Sequence, residues 1–216
     1  MKTTSYHDLG YPALALLYPE GGSNELRDEA WAQLTPLIYR KTTQAQLPHP
    51  DATAKALAFN PDASGVLLFG RSGTAKTRTA YLVARRAMDL AGSKHFTAIT
   101  GRELRDRMTA LSRTGGLTEW ARGLVNDTDI LLIDDIGHGN ASDSYLSGVL
   151  ELIEAATSDL VFVIITANFN GRELLAHWAR TAPDARATAE AIVRRLGDFC
   201  TPVRFAPTTA PKPSVQ

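Results

Sequence analysis

Four consecutive apolar residues, Val66-Leu67-Leu68-Phe69, run directly into Gly70-Arg71-Ser72-Gly73-Thr74-Ala75-Lys76-Thr77, and a helical stretch from Lys76 to Ala91 follows. A strand with no polar alternation is buried on both faces. A strand that leaves through a glycine-rich turn straight into a helix opens a crossover unit. The alternation recurs downstream. A second strand spans His95 to Ile99 and leads into a helix whose start, Thr100 with Glu103, fits a capping box. A third, Ile130 to Ile133, ends in Asp134-Asp135. The amphipathic helix Ser142 to Thr157 follows, then a fourth strand from Leu160 to Thr166 and helices from about Gly171 and Ala185. Val203 to Phe205 reads as a short fifth strand. Repeated βα units of this length predict an α/β fold, a parallel five-stranded sheet flanked by helices.

The turn after the first strand has the form of a phosphate-binding loop, G-x-x-x-x-G-K-[ST], with Ala75 at the second glycine. Gly70 and Gly73 permit backbone conformations that let successive amides face one point. The helix that follows adds the positive end of its dipole. Gly70, Ser72, Gly73, Thr74, Ala75, Lys76 and Thr77 are therefore the expected nucleotide-holding set, with Lys76 on the β- and γ-phosphates and the Thr77 hydroxyl on Mg²⁺. Ala75 is expected to enter the helix, where alanine is comfortable. Asp134, at a strand end, suits a metal held through water, and Asp135 beside it can polarise an attacking water. Asn168 closes the fourth strand and places a neutral amide near the γ-phosphate. Arg194 and Arg195 point to different sides of their helix, so one can project toward a neighbouring subunit.

Outside these units the sequence says less. Residues 1–60 are proline-rich, with a helical pattern from Asn24 to Gln46 that sets Leu26, Ala30, Leu34, Leu37 and Ile38 on one face and is broken by Pro36. Another short helix is expected from Ala52 to Phe59, ended by Asn60-Pro61. This segment reads as a small helical appendage, 61–206 as the core and 207–216 as an extended or disordered tail. Lys plus Arg and Asp plus Glu number 23 each, which argues against a wholly DNA-coating protein but not against a local basic groove. Such a groove is offered by Arg102, Arg105, Arg107 and Arg113, around the flexible Thr114-Gly115-Gly116, although Trp120 fits a core position equally well. His138 lies close enough in sequence to approach the carboxylates. The single cysteine, Cys200, excludes an internal disulfide and multi-thiolate zinc modules, and a buried thiol in a reducing compartment is expected. No apolar run reaches the roughly 18 residues of a membrane helix. The patch Ala13 to Tyr18 is too short for a signal-peptide core, so a cytoplasmic location is expected.

Taken in order, GRSGTAKT, LLIDDIG, VIITANF and AIVRRL resemble the AAA+ ATPases. More narrowly, they are similar to the DnaC-like helicase loaders and IstB-like transposition helpers, over about residues 60–205. The resemblance implies ATP and Mg²⁺ as ligands, Lys76 and Thr77 as Walker A residues, Asp134 and Asp135 as Walker B, Asn168 as sensor 1, and Arg195 as the arginine completing a neighbour's site, with Arg194 as the fallback. It implies a homo-oligomer on ATP binding, single-stranded DNA along the helices after the second strand, and a DnaB-type replicative helicase held by the N-terminal segment. The chain departs from that pattern at Ala75, in its lack of a C-terminal lid with a sensor 2 arginine, and in an N-terminal segment without the Cys/His set of zinc-bearing loaders. The reading that results is an ATP-dependent helicase loader of phage or mobile-element type. A transposition helper, a small-molecule or nucleotide kinase, and a non-hydrolysing ATP-switched adaptor are the competing readings.

Overall fold

The computed structural model describes residues 24–59, 65–91 and 95–206. Within these, β1 (Gly65–Gly70), β2 (Phe96–Thr100), β3 (Ile130–Asp134), β4 (Phe162–Ala167) and β5 (Cys200–Phe205) form one sheet, all parallel, in the order β2-β3-β4-β1-β5. This is the expected five-stranded parallel sheet flanked by helices. The fifth strand begins earlier than its sequence suggested, because Cys200, Thr201 and Pro202 already pair with Gly65, Val66 and Leu67. As the outer strand beside β1 it tolerates Pro202, whose missing N–H would break a central ladder.

Side-chain alternation along the strands divides the core in two. Val66, Leu68, Ile130, Leu132, Phe162 and Ile164 face α4 (Lys76–Ala91), together with Trp31 of α1 (Asn24–Leu34), Ala56 of α3 (Pro50–Leu57) and Phe59. Leu67, Leu131, Ile133, Val163 and Ile165 face the other layer: α5 (Gly101–Thr114), α6 (Leu117–Asn126), α7 (Asp143–Ser158), α8 (Gly171–Thr181) and α9 (Arg186–Phe199). Each such residue, buried on folding, contributes about 1.5–3 kcal/mol relative to exposure. Gly115 and Gly116, both at positive φ, separate α5 from α6, and Thr114 is the last residue of α5. The Thr100–Glu103 capping box forms as expected, with Glu103 accepting from Thr100 N at 2.8 Å and held below the usual carboxylate range by that bond.

The described part of the N-terminal segment is helical and packs into this core. Pro36 ends α1, and α2 (Leu37–Arg40) follows as a single turn. The apolar face expected there is not the buried one. Leu34, Leu37 and Ile38 are 45%, 77% and 66% exposed, and Trp31 goes inward instead. The break at Pro36 rotates the second piece, so a stripe that is continuous in sequence is not continuous in space. The patch 13–18, the Asn60-Pro61 ending, the Leu26 side chain and the tail 207–216 lie outside what is described. No helix among the described residues is long and apolar enough to cross a membrane.

Helix α4 leaves β1 toward one layer and α8 leaves β4 toward the other. A crevice therefore opens between the carboxyl ends of these adjacent strands, where ligands of open parallel sheets bind.

Candidate nucleotide site

The loop after β1 forms one wall of the crevice. Gly70 ends the strand at φ +145°, and a Cβ there would lie 2.1 Å from the Phe205 carbonyl oxygen, so only glycine fits. Gly73 at φ +80° and Ala75 at φ +61° are left-handed. Such alternation aims successive amides inward as an anion-binding nest, at the positive end of α4. Ala75 corrects the expectation from sequence: the helix begins at Lys76, and Ala75 precedes it in a conformation that costs an L-residue about 1–2 kcal/mol. That cost explains why the motif ordinarily has glycine here.

Lys76 is buried, and its Nζ donates to the Arg71 carbonyl at 2.9 Å and to Asn168 Oδ1 at 3.1 Å. Burial lowers the pKa of this ammonium, and the nearby charges of Asp135 and Asp134 work in the opposite direction. Both of these hydrogen-bond partners are neutral, so the lysine keeps its charge available for an anion. Thr74 Oγ1 also donates to the Arg71 carbonyl, at 2.8 Å, which ties the loop to itself.

Two carboxylates face the loop from the end of β3. Asp134 Oδ1 accepts from Thr77 Oγ1 at 2.9 Å and from Thr166 Oγ1 at 2.6 Å. Asp135 Oδ1 accepts from Asn168 Nδ2 at 2.8 Å, and His138 Nδ1 lies 3.3 Å from Oδ2. Asp135 itself sits at φ +60°, which Asp tolerates better than most residues. Burial raises its pKa; His138, Lys76 and Arg105 lower it, and Asp134 raises it further. Thr166, buried at the end of β4, joins the two acids, because its Oγ1 accepts from Asp135 N at 2.8 Å while donating to Asp134. It was missed in the sequence, where a hydroxyl within an otherwise apolar run was the available signal.

The structure thus brings Ser72, Gly73, Thr74, Ala75, Lys76, Thr77, Asp134, Asp135 and Asn168 to one cavity of about 550 Å³. Thr77 and Asp134 place two hard oxygens side by side, the protein share that suits Mg²⁺, whose remaining ligands come from water and phosphate.

Residues 34–207 match the family profile described as IstB-like ATP binding protein. The chain belongs to that family.

Several solved structures share the fold. The DnaC helicase loader is 18% identical at a TM-score of 0.56, with 85% of this chain and 99% of that chain covered. DnaI is 15% identical at 0.54, covering 85% and 94%. The replication initiator DnaA bound to AMPPCP and single-stranded DNA is 14% identical at 0.51, covering 72% and 44%. At these identities the likeness is one of fold, the P-loop AAA+ type. No curated protein matches at a significant level.

The IstB-like site has a second wall that the sequence did not reveal. Ile38, Tyr39, Gln46 and Pro48, all from the N-terminal segment, line the same cavity. Tyr39 stacks on Tyr81 of α4 with ring centroids 4.6 Å apart and planes 19° apart. Burial raises the Tyr39 pKa, as does Asp134, against Arg78. No local pattern announces a contact between residues this far apart in the chain.

Other expected site residues lie elsewhere. Arg195 is half-buried on α9, with Nη2 3.2 Å from Glu154 Oε1, while Arg194 is exposed; neither lines the cavity. In the IstB-like chain the basic stretch of α5 is partly occupied by structure. Arg105 donates to the His138 carbonyl and lies over the Tyr145 ring, and Arg107 lies over Trp120, itself packed against the core. Arg102 and Arg113 are exposed. Gly101, which opens α5, sits so close to the Asp135 carbonyl that a Cβ would come within 2.3 Å of it.

Proposed function

We propose that this chain is a Mg²⁺-dependent ATPase of the helicase-loader kind, binding ATP in the crevice and single-stranded DNA elsewhere, and delivering a replicative helicase. The observation that carries the ATPase part is the continuous chain from Lys76 through Asn168 to Asp135, set opposite the Thr77–Asp134 pair. In this reading the loop amides and Lys76 hold the phosphates, and the wall from Ile38 to Pro48 takes the base. Asn168 bridges the terminal phosphate to Asp135, which orients and deprotonates the attacking water. Asp135, raised by burial, is suited to accept a proton. Mg²⁺, when bound, neutralises charge on the phosphates. Turnover is slow in the isolated chain, because Arg195, or Arg194, completes the site of a neighbouring copy in an ATP-assembled homo-oligomer.

The loader reading is supported by the fold shared with DnaC and DnaI. Residues 1–60 would hold the helicase, and Arg102, Arg105, Arg107 and Arg113 would track the strand. The family profile itself favours one alternative, an IstB-like helper that serves a transposase on DNA. Nucleotide binding is tested by Lys76→Ala, which removes ATP affinity; unchanged affinity in that variant sinks the site assignment. Affinity capture on the full chain with ATP then separates the partners. A hexameric helicase retained supports the loader, and a transposase retained supports the helper.

A further inference from the structure

Asn168 also lines a second cavity, of about 790 Å³, beside the nucleotide crevice. Its walls bring together Arg71 from the loop, Arg180 from α8 and Arg204 from β5. All three are exposed, and among the described residues none lies at ion-pair distance from a carboxylate. The acidic residue in the wall, Glu173, is already engaged, accepting from Asn170 N at 2.9 Å in the cap of α8. Three unpaired guanidiniums thus meet one capped carboxylate, and such a cavity attracts anions.

The wall has a second component. Phe169 and His177 stack with centroids 5.0 Å apart and planes 21° apart. His177 Nε2 lies 2.8 Å from the Gly139 carbonyl, which can only accept, so this nitrogen carries the proton. Nδ1 is then a lone-pair acceptor for Arg180 Nη2, 3.2 Å away. The contact orients Arg180 without supplying a counter-charge. A cavity of this volume exceeds what a phosphate alone needs and lies within the range of small-molecule sites.

The geometry points to a second nucleotide site in this cavity, with phosphate on Arg71, Arg180 and Arg204 and a base against the Phe169–His177 stack. Guanidiniums that clamp phosphate beside an aromatic platform suit a nucleotide, whether free or within a single strand. Arg71 links this site to the first one. Its carbonyl holds both Lys76 Nζ and Thr74 Oγ1, so an anion that fixes the Arg71 side chain steadies the phosphate loop.

The site does not depend on the assignment of the crevice, and the test keeps the two apart. The full chain carrying Lys76→Ala is titrated with AMP and with a ten-nucleotide oligo-dT, by calorimetry and fluorescence anisotropy. At least one of the two is expected to bind. Adding Arg180→Ala with Arg204→Ala should weaken that binding at least tenfold, and the paired Lys substitutions should retain part of it. In the otherwise unaltered chain, the same Ala pair should leave ATP affinity within about twofold. Binding of AMP identifies a free nucleotide as a ligand. Binding of the oligonucleotide alone, with a salt dependence that loses about 1.4 units of slope in the Ala pair, identifies a strand. The proposal is overturned if neither ligand binds the Lys76→Ala chain, if the Ala pair binds unchanged, or if poly-glutamate displaces the ligand as well as pyrophosphate does.

Discussion

Lys76 Nζ donates to Asn168 Oδ1 across 3.1 Å, joining the residue that opens α4 to one that follows β4, 92 positions later in the chain. The amide nitrogen of the same Asn168 donates to Asp135. Under the proposed function Asn168 acts on the terminal phosphate and its water rather than on the rest of the nucleotide. Asn168→Ala is expected to lower ATP turnover about 100-fold, the scale of losing one preorganised donor, with ATP affinity changed less than about threefold. Single-turnover hydrolysis and calorimetry on the same preparation check this. A loss of affinity that matches the loss of rate would assign Asn168 to binding instead.

Ala75 is strained, and glycine should relieve it. The left-handed conformation costs about 1–2 kcal/mol, and the greater freedom of glycine in the unfolded chain returns about 0.4–1 kcal/mol of that. Ala75→Gly should thus raise the thermal midpoint by about 2 °C for a domain of this size. A calorimetric midpoint that stays level or falls would show that the loop relaxes around alanine without cost.

Tyr39 is predicted to hold the base. Tyr39→Ala should weaken ATP binding about tenfold and leave affinity for tripolyphosphate nearly unchanged, because the ring lines the cavity from the N-terminal segment and not from the phosphate loop. Equal losses for both ligands would place the ring near the phosphates.

Cys200 provides a pH test free of the crevice. The thiol is buried in β5, and burial pushes its pKa from 9.0 up to about 12. The unfolded chain therefore releases this proton at lower pH than the folded chain does. The stability associated with the neutral thiol is complete below pH 9 and is lost as pH rises toward about 12. Denaturant midpoints of the native chain and Cys200→Ala, taken as a difference against pH, should be flat below 9 and then fall. A flat difference throughout would mean that the thiol is hydrated. Iodoacetamide at pH 8 should label the thiol only after unfolding.

The strands were legible because β1, β3 and β4 are short apolar runs closed by Gly70, by Asp134-Asp135 and by Asn168. The loop with its carboxylates was legible because phosphate chemistry demands particular residues at fixed spacing. What sequence hides is conformation and distance. Alanine carries no mark of a left-handed φ, so Ala75 looked like a helix entrance. Leu34, Leu37 and Ile38 keep helical spacing across Pro36, yet the spacing has meaning only while one helix continues. The stack of Tyr39 on Tyr81 joins two segments by tertiary packing alone. Thr166 was visible as a hydroxyl in an apolar strand, but its two partners were not.

Helix α5 is fastened to the strand-end acid at two places, through the bare Cα of Gly101 against the Asp135 carbonyl and through Arg105 on the peptide of His138. A displacement of that helix is expected to reach the backbone of residues 135–138 directly. Under the proposed ATPase function, whatever grips α5 is expected to act on Asp135 through that helix.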